Sequence, residues 1–446
     1  MAKFLIANFP VTGHVNPCIC IADELVRRGH EVWWYTGNRF KEKIESTGAS
    51  FIPMSSHANF NEEEPEKTFP ERVKLKGIRG LKYDFKHIFI DSAISQRKDL
   101  INILYDYPAD VILSEPLFLG PMLLPPGLLP ARAGIGIFPL GVTSKDTAPF
   151  GMCIAPSSSL IGQIRNHFLN YLAKFIFNDV QSYANEVRKD FNLPPMQDFF
   201  MDEAVNTLDI YLQGTTPLFE YPRSDLPSHV HFIGPLLPIP DDNYKEPSWW
   251  SELQTGKPVI FVTQGTIATD HNNLLMPTFE ALKEDEFLVI ATMGKKICNI
   301  DKSSLPDNVR LESYIPYDKI LPFVDVMITN AGYGGVQLAL KHGVPLVVSG
   351  QTEEKGEICS RVTWSKVGIS IKPALLKPGT IRSAVVKVLN NKKYKRKAEK
   401  IKEEFDQFIA PEKAANLLES LLLKRKVTKC QPQACSVSDS NDPGSL

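Results

Sequence analysis

The chain runs to 446 residues, with 50 Lys+Arg against 51 Asp+Glu and 43% hydrophobic side chains. That length exceeds what one core holds, and a net charge of −1 gives no support to a nucleic-acid footprint, which would need a basic face. The seven cysteines (Cys18, Cys20, Cys153, Cys298, Cys359, Cys430 and Cys435) are odd in number and scattered, so neither a disulfide framework nor a structural metal is indicated, and a reducing, cytoplasmic setting is expected.

Met1–Pro10 reads as a first core strand, its apolar run being too short for a signal peptide. Phe4–Ala7 is that strand, and Asn16–Arg28 is a helix stopped at Gly29. Glu31–Thr36 is a strand, Arg39–Thr47 a helix, and Phe51–Pro53, Asp110–Leu113 and Ala133–Pro139 further strands. Strands alternating with helices predict a doubly wound parallel sheet. No stretch reaches the roughly 18–20 apolar residues of a membrane span. Leu117–Ala133 comes nearest but is broken by Pro121, Pro125, Pro126 and Pro130. Residues 140–195 are loop-rich to Ser159, then carry one long helical pattern over Ile161–Phe191, read as an insertion lining one side of a cleft.

Phe232–Asn243, with three prolines and a polar turn, reads as a linker. Strands resume at Pro258–Thr263, Phe287–Thr292, Val309–Glu312, Val326–Thr329 and Pro345–Ser349, and helices follow at Thr380–Leu389, Lys392–Phe408 and Glu412–Leu423. The expected organisation is therefore two facing Rossmann-like α/β domains, 1–235 and 236–423, with a disordered polar tail at 424–446.

Five constellations carry candidate chemistry. His14, in Thr12-Gly-His-Val-Asn-Pro17, is placed in the loop after the first strand, where parallel sheets bind ligands; a histidine there is also commonly structural. Glu115 ends the apolar strand in Asp110-Val-Ile-Leu-Ser-Glu115 and can either fix a histidine tautomer or cap a helix. Thr263-Gln-Gly-Thr266 is a small hydroxyl-rich turn able to approach phosphate. In residues 327–351, Gly332, Gly334 and Gly335 are expected to let the backbone turn tightly before a helix whose N–H groups and dipole favour phosphate; an ordinary strand-to-helix turn reads the same way. Gly350-Gln-Thr-Glu-Glu-Lys-Gly356 suits a polyhydroxylated ligand, or is a solvated charged loop.

With these blocks in order, the chain resembles family-one nucleotide-sugar glycosyltransferases of the two-Rossmann fold called GT-B, and is most similar to the macrolide-glycosyltransferase branch. The resemblance spans about residues 1–423 and rests on TGHVNP and ADELVRRGHEV near the start, SKDTAPFG at 144–151, YLQGTTPLFEYPRSDLP at 211–227, TQGT at 263–266 and YIPYDKILPFVDVMITNAGYGGV at 314–336. It implies inverting transfer of a sugar, by default glucose from UDP-glucose, to an acceptor hydroxyl. His14 matches the family's general base, and Glu115 stands where the family usually pairs an aspartate with it. Thr266 and the Gly332–Gly335 turn match the diphosphate site, Tyr314 the residue on which the base stacks, and Glu354 with Lys355 the pair that binds sugar hydroxyls. No metal or other cofactor is implied.

Asn330 stands where many members have a diphosphate-contacting histidine, Leu338 where many have a ribose-gripping glutamate, and Tyr317 replaces a common glutamine; a dTDP-sugar is the alternative donor. The implied acceptor is a lipophilic hydroxylated small molecule such as a macrolide, polyketide, phenolic, sterol or hydroxy fatty acid. Leu117–Leu129, Phe138–Phe150 and the 160–191 helices are the expected walls of its pocket. Transient membrane association is left open. The rival readings are a nucleotide-sugar epimerase of the same architecture and a catalytically silent nucleotide-sugar or lipid binding protein.

Overall fold

Alternation of side chains along each strand decides how both sheets are buried. In the computed structural model, which describes residues 1–55, 59, 65–240, 243–265, 271–284, 286–294, 303, 305–350 and 354–430, β1 (Lys3–Ala7) sends Phe4 and Ile6 into one core and Leu5 and Ala7 into another. A strand apolar on both sides must be covered on both sides, which is the situation of a parallel sheet layered with helices. The same holds for β8 (Val259–Thr263), where Val259 and Phe261 oppose Ile260 and Val262.

Among the described residues the first sheet also contains β2 (Glu31–Thr36), β3 (Ser50–Pro53), β4 (Val111–Ser114), β5 (Ala131–Gly136), β6 (Ile210–Gln213) and β7 (Val230–Phe232). Its order is β3-β2-β1-β4-β5-β6-β7. The second joins β8 to β9 (Leu288–Thr292), β10 (Val309–Glu312), β11 (Val326–Thr329), β12 (Leu346–Val348) and β13 (Gly368–Ser370), in the order β10-β9-β8-β11-β12-β13. Every pairing is parallel. In each sheet the order reverses at one place, between β1 and β4 and between β8 and β11, and crevices outside the carboxyl ends of strands open at such points.

Several expectations are corrected. The first helix begins at Thr12, not Asn16, and runs to Arg27. Asn16-Pro17 has the form of a cap followed by a first-turn proline, yet the chain is already helical four residues earlier, so His14 lies in the first turn of a helix rather than in a loop. The single helical pattern over 161–191 is two helices, Leu160–Ile176 and Asn178–Asp190, separated at Phe177. Strands β6, β7 and β13, of three or four residues each, were not anticipated.

The last helix, Ala410–Cys430, extends past the expected end at 423, and residues 431–446 of the expected tail lie outside the described residues. Placed with the second domain by the sequence, this helix instead lays Ala410, Ala414, Ala415, Leu418 and Leu421 into the core of the first sheet. Arg28 and His30 hold it there through Glu419, at 3.0 and 2.9 Å. The returning chain passes the linker so closely that a Cβ at Gly234 would come within 2.4 Å of Phe408 Cβ, and Gly234 is left-handed at φ +94°. Only glycine accommodates both.

Candidate active site

Because β1 and β4 pair with Ala7 opposite Ser114, the segments leaving their carboxyl ends emerge side by side. His14 follows β1 and Glu115 follows β4, and His14 Nδ1 meets Glu115 Oε1 at 3.0 Å. The carboxylate is 1% exposed and held from several sides, with Oε1 accepting the Phe9 N–H at 3.4 Å and Oε2 the Leu117 N–H at 2.7 Å. Glu115 thus contacts the histidine and takes backbone N–H groups at the same time. The imidazole side chain is 20% exposed. The Glu115 contact engages Nδ1, so the carboxylate sets which ring nitrogen carries the proton. Phe9 lies edge-on to the imidazole at 6.4 Å between ring centroids, with Phe89 and Phe118 at 5.3 and 6.1 Å from Phe9.

The second reversal point gathers the other candidates. β8 and β11 pair with Thr263 opposite Thr329, so the turns after them meet: Asn330 Nδ2 donates to Gln264 O at 2.5 Å, and Gly265 is left-handed at φ +77°. Thr266 lies outside the described residues. Gly332 precedes the helix Tyr333–Lys341 with no side-chain cap and no acidic residue in its first turn. That end of the helix carries its leading N–H groups and the positive end of its dipole.

The glycines act differently from the expectation. Gly332 has an ordinary φ of −65°, and the left-handed residue is buried Ala331, at φ +65°. That conformation costs an alanine about 1–2 kcal/mol. At Gly332 and Gly334 a Cβ would meet no atom of the described residues within 4 Å. At Gly335 a Cβ would approach the Tyr317 ring at 3.4 Å.

Glu354 precedes the helix Lys355–Trp364. A Cβ at Gly350 would come within 2.5 Å of Asn330 O and 2.7 Å of Lys355 Cβ. The structure thus brings the start of that helix against the Asn330 turn. Tyr314 is 61% exposed. Tyr317 donates its hydroxyl to Thr263 Oγ1 at 3.0 Å and packs edge-on against Phe261, and burial pushes its phenol up to about 12. Leu338 packs against the core of the second domain.

The expected acceptor walls are only partly where the sequence put them. Phe118, Leu123 and Leu124 are buried in cores, because the Leu117–Leu129 stretch folds into tight turns against the sheet, and Phe118, Pro121 and Met122 line a small cavity beside Glu115. Phe138 and Phe150 pair at 6.2 Å and remain half-buried. Helix Leu160–Ile176 is turned inside out relative to a usual surface helix. Its buried side carries Asn166 and Asn170, whose amides donate to the carbonyls of Lys145 and Thr147 at 3.0 and 3.3 Å. Ile161, Ile164, Phe168, Tyr171 and Phe175 point outward, 62–82% exposed. The helix leads into Phe177, which meets Phe85, which meets Phe89 beside Phe9. Missed altogether by the sequence was a set of buried charges between the domains, centred on Arg361 and Glu220.

Among the described residues no group of His, Cys, Asp and Glu could hold a metal ion, and no helix is long and apolar enough to cross a membrane. The domain family described as erythromycin biosynthesis protein CIII-like, C-terminal domain, matches residues 278–421. The 4'-demethylrebeccamycin synthase of Lentzea aerocolonigenes is 41% identical over 94% of this chain and 100% of its own length. UDP-glycosyltransferase 2 of Phaeomoniella chlamydospora is 33% identical over 94% of this chain and 95% of its own. Among solved structures, the calicheamicin glycosyltransferase CalG4 is similar with a TM-score of 0.75 at 19% identity, over 95% of this chain and 99% of that one.

Proposed function

Since the chain belongs to the UDP-glycosyltransferase family and has the GT-B fold, we propose that it transfers a hexose, glucose by default, from a UDP-sugar to a hydroxyl of a lipophilic small molecule. The observation that carries this reading is the 3.0 Å contact between His14 Nδ1 and buried Glu115. His14 Nε2 takes the acceptor's proton as that oxygen bonds to the anomeric carbon. The bond from that carbon to the diphosphate breaks on the opposite face, which inverts the configuration. Glu115 holds the imidazole in the required tautomer and stabilises its charge once protonated.

The leaving diphosphate is met by the first-turn N–H groups of helix Tyr333–Lys341, by the Gly332–Gly335 turn, and by Thr266. Fixed N–H donors stabilise developing negative charge, and the reading requires no metal. Tyr314 takes the base against its exposed ring, Asn330 stays beside the diphosphate as the clamp on the Gln264 turn, and Glu354 with Lys355 take the sugar hydroxyls. The acceptor lies by Phe9 and Phe89, with the Phe138–Phe150 pair and the outward stripe of helix Leu160–Ile176 as its apolar surroundings. The test is UDP release from UDP-glucose across a panel of hydroxylated lipophilic acceptors, with the product's anomeric configuration determined. Acceptor-dependent release with inversion supports the reading; an altered free sugar nucleotide formed without acceptor refutes it.

A further inference from the structure

Between the two domains lies a layer of buried charge that the chemistry above does not use. Arg361, on helix Lys355–Trp364 of the second domain, is 1% exposed. Its guanidinium binds Glu220 Oε1 of the first domain through Nε and Nη2, at 2.9 and 2.5 Å, and Glu357 Oε2 through Nη1 at 2.9 Å. The ring of Tyr221 lies 4.1 Å beneath it. Glu220 in turn accepts the Leu140 N–H at 2.9 Å, and Arg223 donates to Leu140 O at 2.7 Å. The other oxygen of Glu357 crosses the seam, accepting the N–H groups of both Gly151 and Cys153 at 2.9 Å. Ser360 Oγ donates to Cys153 O at 2.8 Å. Cys153 is left-handed at φ +57°, and a Cβ at Gly356 would come within 2.6 Å of its Sγ.

Burial by itself would raise the Glu220 carboxyl, but Arg361 and Arg223 outweigh it and hold it below its ordinary range. A buried ion pair adds little net stability compared with an apolar replacement, and its best-attested use is to fix one arrangement. The arrangement fixed here joins two functional parts. Glu357 lies within the first turn of the helix that Glu354 and Lys355 begin, so clamping Glu357 clamps the sugar-binding end. The loop it is clamped to runs from Leu140 to Cys153 and includes Phe150; helix Leu160–Ile176 follows it.

We propose that Glu357 and Arg361 are positioning residues that set the distance between donor sugar and acceptor. The proposal rests on the transfer reaction proposed above. With the seam intact, Glu354 and Lys355 hold the sugar where the acceptor oxygen on His14 reaches its anomeric carbon. With the seam loosened, the diphosphate is still bound by the first turn of helix Tyr333–Lys341, but the sugar shifts and water competes. Water oxygen then bonds to the anomeric carbon, the carbon–phosphate oxygen bond breaks to release UDP, and the water's proton passes to His14, giving free sugar in place of glycoside.

The experiment compares the full-length protein with Arg361→Met, Arg361→Lys and Glu357→Gln, measuring glucoside, free glucose and total UDP from UDP-glucose with an acceptor the unaltered protein uses. Arg361→Met and Glu357→Gln are expected to raise the ratio of free glucose to glucoside by at least ~10-fold, since ångström-scale misplacement costs up to about 100-fold in rate. The KM for UDP-glucose should stay within about 3-fold, as expected when the lost interaction acts on the transfer step. Arg361→Lys keeps the charge without the two-pronged contact and should fall between. If Arg361→Met does not fold, Glu357→Gln and Ser360→Ala carry the same expectation. Folded variants with an unchanged product ratio overturn the positioning role, as does a loss of melting temperature and rate together without a change in ratio. An unaltered protein that transfers no sugar overturns the function itself, and the positioning role with it.

Discussion

Replacing Glu115 with glutamine changes one atom type and one charge at a site with almost no solvent. The carboxylate is 1% exposed and accepts from Leu117 N–H at 2.7 Å and Phe9 N–H at 3.4 Å while facing His14 Nδ1 at 3.0 Å. An amide has only one acceptor oxygen. If that oxygen keeps the short Leu117 contact, the amide NH2 faces His14, and the imidazole must place its proton on Nε2 to accept from it. That is the wrong tautomer for a base whose working nitrogen is Nε2. The lost attraction to the imidazolium lies between about 1.5 kcal/mol, the low end for a hydrogen bond to a charged group, and about 4 kcal/mol, two unit charges at 4 Å with an effective dielectric constant of 20. At about 1.4 kcal/mol per decade this predicts a kcat lower by roughly 10- to 1000-fold. The assay is the initial rate of UDP release at saturating donor and acceptor, with the melting temperature measured alongside. A folded Glu115→Gln protein within about 3-fold of full kcat would refute the pairing as a catalytic device.

Gly334→Leu should raise the KM for UDP-glucose by at least ~10-fold while leaving the fold as stable or slightly more so, since glycine within a helix costs roughly 0.5–1 kcal/mol; titration calorimetry with UDP and a thermal melt check both halves. Leu338 packs into the second core and offers no hydrogen bond to ribose, so the preference for UDP-glucose over dTDP-glucose should be under ~10-fold, the scale of one net hydrogen bond; competition of the two donors in one reaction measures it, and a much larger ratio contradicts the assignment. Glu419 accepts from His30 and Arg28, and the His30 contact is the largest influence holding its carboxyl below the ordinary 4.5. A depressed folded value means that this contribution is present above pH ~4.5 and fades as pH falls through the folded value. The protection factors of helix Ala410–Cys430, corrected for the intrinsic pH dependence of exchange, should therefore fall on acidification, and Glu419→Gln should flatten that dependence; an unchanged profile argues against the tether.

The strand-end logic carried most of the site. His14 and Glu115 are 101 residues apart, and the sequence places each at a strand end, but their meeting depends on β1 lying beside β4, an order no local pattern encodes. The glycine-rich turn was legible as a motif and misread in mechanism. Composition points to the glycines, whereas the strained backbone falls on Ala331, whose side chain gives no hint of it. Phe177 breaks a helical pattern that stays apolar at helical spacing on both sides, and three-residue strands such as β7 and β13 carry too little alternation to be told from loop. The last helix shows its apolar stripe plainly, yet a stripe names no partner, so Leu418 was assigned to the nearer core in sequence rather than the one it fills. Glu220 with Arg223 and Glu357 with Arg361 are spaced three and four apart like any surface ion pair; only burial distinguishes them.

The central claim is that His14 removes the acceptor's proton. Its most direct test is the rate of glucoside formation by His14→Ala with donor affinity measured on the same preparation. A fall of at least ~100-fold in kcat, with UDP-glucose binding within about 3-fold of the unaltered protein, is the predicted result. A His14→Ala protein that transfers sugar at nearly the full rate would contradict it.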